Sequence, residues 1–283
     1  MSVKEEQWDL IISGRKKLFS LRIDEFWRYR DLLLMLVRRD ILVLYKQTIL
    51  GPIWFFIQPV LTAIVYIIVF TRIASLPTGG APPILFYLSG TILWSYFQDS
   101  LNGTSNTFVQ NANLFGKVYF PRIVVPVSKI IAGLLKFFIQ LALFLGIYLV
   151  YYLKGERFDS TWVMLMIPVF VLTTGVLGLS IGIILTSLTT KYRDLTFLIQ
   201  FGVQLLMYGT PVVYPLSAVP EKYRTLFMLN PLTAIVEGFR FAFFGNSMFD
   251  VQLLAVSVLS TVVLFVLGLA VFNYVERDFV DSV

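Results

Sequence analysis

The sequence predicts an all-α integral membrane protein with six transmembrane helices, an N-terminal interfacial amphipathic helix and short re-entrant helices before the last span. Two observations lead to this prediction. First, 57% of the 283 residues are hydrophobic and 14% are charged, against about half and a quarter in an ordinary soluble domain. Second, the apolar residues gather into segments long enough to cross a hydrocarbon core of about 30 Å. Lipid is therefore the expected solvent for most of the chain.

Residues 1–52 are expected to form a cytoplasmic N-terminal region. They carry charges of both signs and lack the apolar stretch that opens a secretory signal peptide. Within them, residues 24–46 predict an amphipathic helix, whose apolar positions follow helical spacing at Phe26, Tyr29, Leu33, Val37, Ile41 and Leu44. We expect this helix to lie in the membrane interface, either as an anchor alone or as a gate.

Residues 53–283 are expected to form the transmembrane domain. The predicted spans are residues 53–70, 83–97, 123–153, 163–188, 195–213 and 251–275. Both chain termini are then cytoplasmic. This topology puts about 15 of the 23 basic residues in cytoplasmic segments, as the positive-inside rule requires.

Residues 211–250 are expected to form an external re-entrant segment before the last span. The segment is too polar for a span and too apolar for an exposed loop, and Pro211, Pro215, Pro220 and Pro231 would interrupt a continuous helix. Non-helical backbone at membrane depth needs protein or water to satisfy its polar groups. We therefore expect the segment to border a pathway, with an amphipathic surface loop as the alternative.

Two of the predicted spans carry a polar and aromatic stripe at every fourth position. The stripes are Trp54, Gln58, Thr62 and Tyr66 in the first span, and Thr196, Gln200, Gln204 and Tyr208 in the fifth. Positions four apart lie on one helix face. Polar groups that face lipid lose hydrogen bonds, at about 1–3 kcal/mol each, so such faces turn toward protein or a pore. The stripes predict a channel wall suited to sugars, with ordinary bonding between helices as the alternative.

Charged and small residues within the predicted spans need a separate explanation. Asp99 ends the second span and is expected at the cytoplasmic interface. The ammonium of Lys136 must reach the interface, meet a carboxylate or face water, and we favour the first. Gly175, Gly178 and Gly182 are expected to let the fourth span pack closely against a neighbour.

The sequence contains neither Cys nor His, which excludes disulfides, thiolate metal sites and imidazole catalysis. We therefore predict no catalytic residue, no metal site and no cofactor. The phosphate-binding loop G-x-x-x-x-G-K-[ST] is also missing from the sequence, so ATP would have to be bound by a partner subunit. The formal net charge is +6. The basic residues cluster near the chain start, where membrane lipids rather than nucleic acid are the expected partner.

Residues 104–122 form a predicted cytoplasmic loop between the second and third spans. Its final part combines aromatic and basic side chains, with the candidate docking residues Leu114, Phe115, Lys117, Tyr119, Phe120 and Arg122. Exposed aromatic residues and arginine are typical of protein-docking surfaces.

Four stretches of the sequence, in chain order, carry a likeness to a known family. They are YKQTILGPIW at 45–54, LSGTILWSYF at 88–97, residues 113–126 around Phe120-Pro121-Arg122, and Arg193-Asp194 followed by TPVVYP at 210–215 and Asn230-Pro231. In these stretches the chain resembles the permease subunits of type-2 ABC exporters, in the branch that moves O-antigen, capsular polysaccharide or teichoic acid.

The resemblance implies a homodimer in the bacterial inner membrane that exports a lipid-linked polysaccharide through a channel between its halves. Each half would dock on a separate cytoplasmic ATP-binding cassette subunit through residues 114–122. Residues 24–46 would form an interfacial gate and residues 220–245 an external gate, while the first and fifth spans would line the channel. The arginines that could meet the substrate diphosphate are Arg28, Arg30, Arg38 and Arg39.

Two other functions stay open from the sequence. One is an exporter of a drug or small lipid with the same fold, which would have a closed cleft facing lipid in place of a wet channel. The other is an intramembrane enzyme, which would need carboxylates that converge within the spans.

Overall fold

The computed structural model describes residues 23–46, 51–111, 120–192 and 194–281. These residues form helices and connecting turns, without a β-strand among them. The helices are α1 Ile23–Arg28, α2 Arg30–Tyr45, α3 Trp54–Tyr66, α4 Pro83–Ser105, α5 Thr107–Gln110, α6 Val124–Leu153, α7 Ile167–Lys191, α8 Leu195–Tyr208, α9 Glu221–Met228, α10 Pro231–Phe244 and α11 Val251–Asp281. A π-helical stretch, Ile67–Ile73, continues α3, and 3-10 turns lie at Gly51–Ile53, Trp162–Met166 and Leu216–Ala218. The predicted all-α fold class is confirmed.

Four helical stretches of the described chain are long and apolar enough to cross a membrane. They are Trp54–Ile73, Val124–Leu153, Trp162–Thr189 and Val251–Asn273. A fifth span results if α9 and α10, bent by 100° at their junction, are taken together. Helix α4 has 23 residues but a more polar composition, and α8 is apolar but only 14 residues long. The protein is a multi-pass membrane protein, and its six spans and re-entrant insertion stay predictions.

Helix α4 lies at the centre of the bundle, with most of its side chains buried between α3, α6 and α7. The predicted glycine face of α7 packs against it. A Cβ atom added at Gly178 would lie 2.7 Å from the Cβ of Ser100, and one at Gly182 would lie 2.6 Å from the Cβ of Thr104. Only glycine allows these two backbones to approach so closely, which confirms the packing role expected of the glycines.

The predicted amphipathic helix consists of two helices, because the backbone at Tyr29 (φ −95°, ψ 20°) leaves helical geometry between α1 and α2. Leu33, Leu36 and Val37 of α2 are buried in an apolar cluster that includes residues of α6. Leu34, Met35, Leu42 and Val43 of the same helix are exposed. Helix α2 therefore has one apolar face covered by protein and further apolar residues that lipid can cover, as an interfacial helix requires.

Candidate functional site

The two predicted stripes lie on α3 and α8, beside the buried faces of these helices. Helix α3 buries Phe55, Pro59 and Ala63, and α8 buries Ile199 and Val203. The adjoining stripe positions are more open: Trp54, Gln58, Gln200, Gln204 and Tyr208 are exposed, while Thr62, Tyr66 and Thr196 are half-buried. The chain therefore leaves most of both stripes available to water, to lipid or to another protein.

The stripes approach each other at one end of the bundle. The hydroxyl group of Tyr66 donates to the Sδ atom of Met207 at 3.7 Å. We call this the outer end, because α2 and the predicted cytoplasmic loop lie at the other, inner end. There the hydroxyl group of Thr196 donates to Oδ1 of Asn106, directly after α4, at 3.3 Å. The structure thus joins the first stripe to α8 beside the second stripe, and joins the second stripe to the residue after α4. Their role as a channel wall stays a prediction.

Helix α4 carries a third polar face that the sequence analysis missed. From residue 95 to the residue after the helix, the side chains left partly open are Ser95, Gln98, Asp99, Asn102 and Asn106. All five are polar, and their spacing is helical. The sequence hides this face because Ser100, Thr104 and Ser105, which are polar too, are buried on the other side of the helix.

Lys136 of α6 meets a carboxylate at this face. Its Nζ atom lies 2.7 Å from Oδ2 of Asp99, and the side chains of Lys136 and Asp99 are 19% and 43% exposed. Of the three possibilities for Lys136, the structure therefore shows a carboxylate partner. Because Asp99 is itself expected at the cytoplasmic interface, a reach of Lys136 toward that interface stays a prediction. Packing of α6 on α4 brings a carboxylate within hydrogen-bond distance, and a paired ammonium is more stable at membrane depth than an unpaired one.

A second ion pair, also missed, is buried at the outer end. Nη1 of Arg240 lies 3.4 Å from Oε1 of Glu237, and the side chains are 2% and 1% exposed. Arg240 also donates to the carbonyl oxygens of Pro211 at 2.5 Å and Val212 at 2.6 Å. Glu237 in turn accepts a hydrogen bond from the backbone N–H of Leu216 at 3.1 Å. The pair thus holds the loop between α8 and α9 against α10.

Arg240 also joins this loop to α4. Its Nε atom lies 3.4 Å from the hydroxyl oxygen of Ser89, and its guanidinium lies 3.7 Å from the ring centroid of Phe86. A Cβ atom at Gly90 would lie 2.8 Å from both Nη2 of Arg240 and the carbonyl oxygen of Val212. Stretches 88–97 and 210–215 of the resemblance therefore meet at Arg240. The buried pair could have been found in the sequence, because Glu237 and Arg240 are opposite charges three positions apart in an apolar segment.

The predicted docking segment is described only in part. Leu114, Phe115, Lys117 and Tyr119 lie outside the described residues. Phe120 is 4% exposed and belongs to the apolar cluster beneath α2, so the expectation of an exposed aromatic ring is wrong at this position. The side chain of Arg122 is half-buried.

The four arginines predicted to meet phosphate, Arg28, Arg30, Arg38 and Arg39, are all exposed on α1 and α2. Arg39 binds Oδ1 of Asp40 at 3.0 Å, and the other carboxylate oxygen of Asp40 lies 3.0 Å from Nζ of Lys129 on α6. An ion pair thus attaches α2 to α6, while the arginines stay accessible. Phosphate binding by them stays a prediction.

Comparison with known proteins places this helical bundle among transporters. The family model described as ABC-2 type transporter matches residues 31–244. The chain is 29% identical over 264 residues to the O-antigen export system permease protein RfbA of Myxococcus xanthus, covering 92% of this chain and 98% of that protein.

Two further relatives are similar over almost their whole length. An O-antigen export system permease protein RfbA of Klebsiella pneumoniae is 27% identical over 251 residues, covering 89% of this chain and 94% of that protein. The polysialic acid transport protein KpsM of Escherichia coli is 24% identical over 247 residues, covering 86% and 93%. Because the family model spans most of the chain, including α4, α8 and the Arg240 site, the protein belongs to the ABC-2 type transporter family.

Proposed function

We propose that the protein is the transmembrane subunit of an ATP-driven exporter that moves a lipid-linked polysaccharide across the bacterial inner membrane to its outer side. The observation that carries this proposal is similarity along 92% of the chain and 98% of a relative named as an O-antigen export permease. The polysialic acid transporter among the relatives extends the likeness to a second class of polysaccharide.

The open polar and aromatic surface fits this substrate. A polymer must leave each contact as readily as it meets it, so many weak contacts suit transport better than one strong contact. Aromatic rings such as Trp54 and Tyr208 offer contacts of about 1 kcal/mol each, and amides such as Gln58 and Gln200 can bond to sugar hydroxyls. A second copy of the chain would enclose these surfaces and complete the channel.

ATP hydrolysis is assigned to a separate cytoplasmic ATP-binding cassette subunit, because the sequence contains no phosphate-binding loop of the usual form. Residues 114–122 would contact that subunit. Both chain termini would lie in the cytoplasm, where the exposed arginines of α1 and α2 could meet the diphosphate of the lipid-linked glycan.

Removal of the gene from the native bacterium tests the proposal. Cells without the chain should lose a surface polysaccharide and accumulate its lipid-linked form on the cytoplasmic side, and the wild-type chain should restore export. A chain with Leu149→Ile, a conservative change at an exposed apolar position of α6, serves as the matched control and should restore export equally. Unchanged surface polysaccharide, with altered drug sensitivity instead, would favour the exporter of a drug or small lipid.

A further inference from the structure

We propose that the inner half of α4, together with Lys136 of α6, forms a water-filled wall of the transport pathway that binds the hydroxyl groups of the passing glycan. The wall consists of Ser95, Gln98, Asp99, Asn102 and Asn106 with Lys136. The identity of the ligand rests on the proposed function, whereas the inference of water rests on the exposure and polarity of these side chains.

The Asp99–Lys136 pair lies away from the ends of the two helices that carry it. Asp99 lies about 9 Å along α4 from its last residue, Ser105, and Lys136 lies about 18 Å along α6 from its first residue, Val124, at 1.5 Å per residue. Neither residue is therefore in a terminal turn of its helix. Charged groups within spanning helices face a bundle interior or a water-filled cavity, and Asp99 is 43% exposed. Because its own protomer leaves it open, water is the medium that can stabilise this carboxylate.

The polar face of α4 differs from the apolar surface that α6 exposes on the same bundle. On α6, the exposed side chains Phe138, Leu145 and Leu149 are 56%, 43% and 55% exposed, as expected of a surface that lipid covers. On the inner half of α4, every partly open side chain is polar. Lipid contact would deprive these amides, hydroxyl and carboxylate of hydrogen bonds. The two surfaces therefore face different media.

The polar face of α4 lies next to the helices that carry the two predicted stripes. Helix α4 packs against α3 and α8, the two helices that carry the predicted stripes. The hydrogen bond from Thr196 to Asn106 joins the α8 stripe directly to the inner end of the α4 face. The α4 face therefore extends the stripe surface toward the inner end, where a substrate from the cytoplasm would arrive.

The charge balance of this wall indicates which ligand it can bind. Asp99 and Lys136 neutralise each other, so the face presents paired charges with amide and hydroxyl groups and has no excess of cations. Sugar hydroxyls can donate to Asp99 and accept from Lys136 and the amide of Gln98 or Asn102. A diphosphate would meet no excess of positive charge here, which makes the neutral glycan, rather than the phosphate group, the better ligand of this wall.

Thiol labelling tests the proposal in the intact exporter, because the native chain contains no cysteine. Single cysteines replace Gln98 and Asn102, and cysteines at the exposed apolar positions Phe138 and Leu145 serve as controls. Membrane vesicles that contain the exporter with its ATPase are treated with a charged thiol reagent that does not cross membranes, applied from the cytoplasmic side. Cysteines on α4 should react at least tenfold faster than the controls, and a polysaccharide stalled during export should protect them.

Each other outcome overturns part of the proposal. Reaction as slow as at Phe138 and Leu145 would show that the face is dry. Rapid reaction without protection would leave a wet surface outside the glycan pathway. A disulfide between Asn102→Cys residues of two copies would show a subunit interface instead. If gene removal leaves surface polysaccharide unchanged while labelling is rapid, the proposed function fails and the water-filled wall stands.

Paired substitutions provide a second measurement. Asp99→Lys and Lys136→Asp should each reduce export severalfold at an unchanged amount of membrane-inserted protein, and the combined reversal should recover a large part of the loss. Recovery identifies the pair itself as the functional unit. If both single variants exported as much polysaccharide as the wild-type chain, a contact with the passing glycan would be excluded.

Discussion

The outer end of the bundle and its inner half each contain an ion pair, Arg240–Glu237 and Lys136–Asp99, and these two pairs differ in how far water can reach them. Arg240 and Glu237 are 2% and 1% exposed, while Lys136 and Asp99 are 19% and 43% exposed. All three guanidinium nitrogens of Arg240 donate to loop carbonyls, to Ser89 or to Glu237. Lys136 and Asp99, by contrast, retain open sides on which further hydrogen bonds can form.

The difference separates a structural pair from one that can take part in transport. Burial of two charges costs several kcal/mol, and close geometry with additional hydrogen bonds offsets that cost. The Arg240 site meets this condition by joining α4, α10 and the loop between α8 and α9. A pair that water reaches contributes little to stability, so its value to the protein lies in what it can contact.

The largest effect is expected from Arg240→Met. The substitution leaves Glu237 charged and unpaired in the core, which costs about 3–5 kcal/mol, and it also removes the donors to Pro211 and Val212. Thermal unfolding of the purified protein should show a much lower midpoint. The double variant Arg240→Met with Glu237→Gln should lose less than the two single losses added together. An unchanged unfolding midpoint for Arg240→Met would contradict a structural role.

Gly90→Ala should cost about 1–3 kcal/mol, because its Cβ would overlap Arg240 and the backbone of Val212 and force a shift of the loop. Gly146→Ala on α6 is the matched control, since a Cβ there has no neighbour within 4 Å. Alanine in a helix interior should leave the control equally stable or slightly more so. Thermal unfolding of both variants checks the difference, and equal midpoints would argue against close packing at Gly90.

The Asp40–Lys129 pair allows a graded test, because its side chains, 11% and 22% exposed, lie between the two extremes. Lys129→Met keeps the aliphatic stem and removes the charge. We expect a loss of about 1–2 kcal/mol, intermediate between a sealed and an open pair, measured by the same unfolding experiment. A loss as large as that of Arg240→Met would break the proposed relation with exposure.

Lys136→Met should have the smallest effect on stability, about 0–1 kcal/mol, because water can solvate the Asp99 carboxylate that remains. Export by this variant should still fall severalfold. A loss of about 3–5 kcal/mol would instead indicate a dry, sealed pair and would contradict the water-filled wall. Stability and export measured on one preparation therefore separate the two interpretations.

Features that depend on neighbours along the chain could be predicted from the sequence, whereas contacts between distant segments could not. Helical periodicity and apolar length are local properties, so the helices, the glycine face of α7 and one buried face of α2 could be predicted. Phe120 was predicted to be exposed because its position in a polar loop conceals the contact with α2. The helix that contains the second predicted span, residues 83–97, continues to Ser105, because packing keeps the polar residues after Phe97 helical.

The sequence by itself determined that the chain is a helical membrane protein and that polar stripes run along two of its helices, because both properties repeat within a few turns. Tertiary structure alone decided which distant residues each charge meets. Lys136 and Asp99 are separated by 37 positions, and Arg240 and Ser89 by 151. Hydropathy treats each of these charges as an isolated cost, whereas helix packing decides whether that charge is sealed by partners or left open to water.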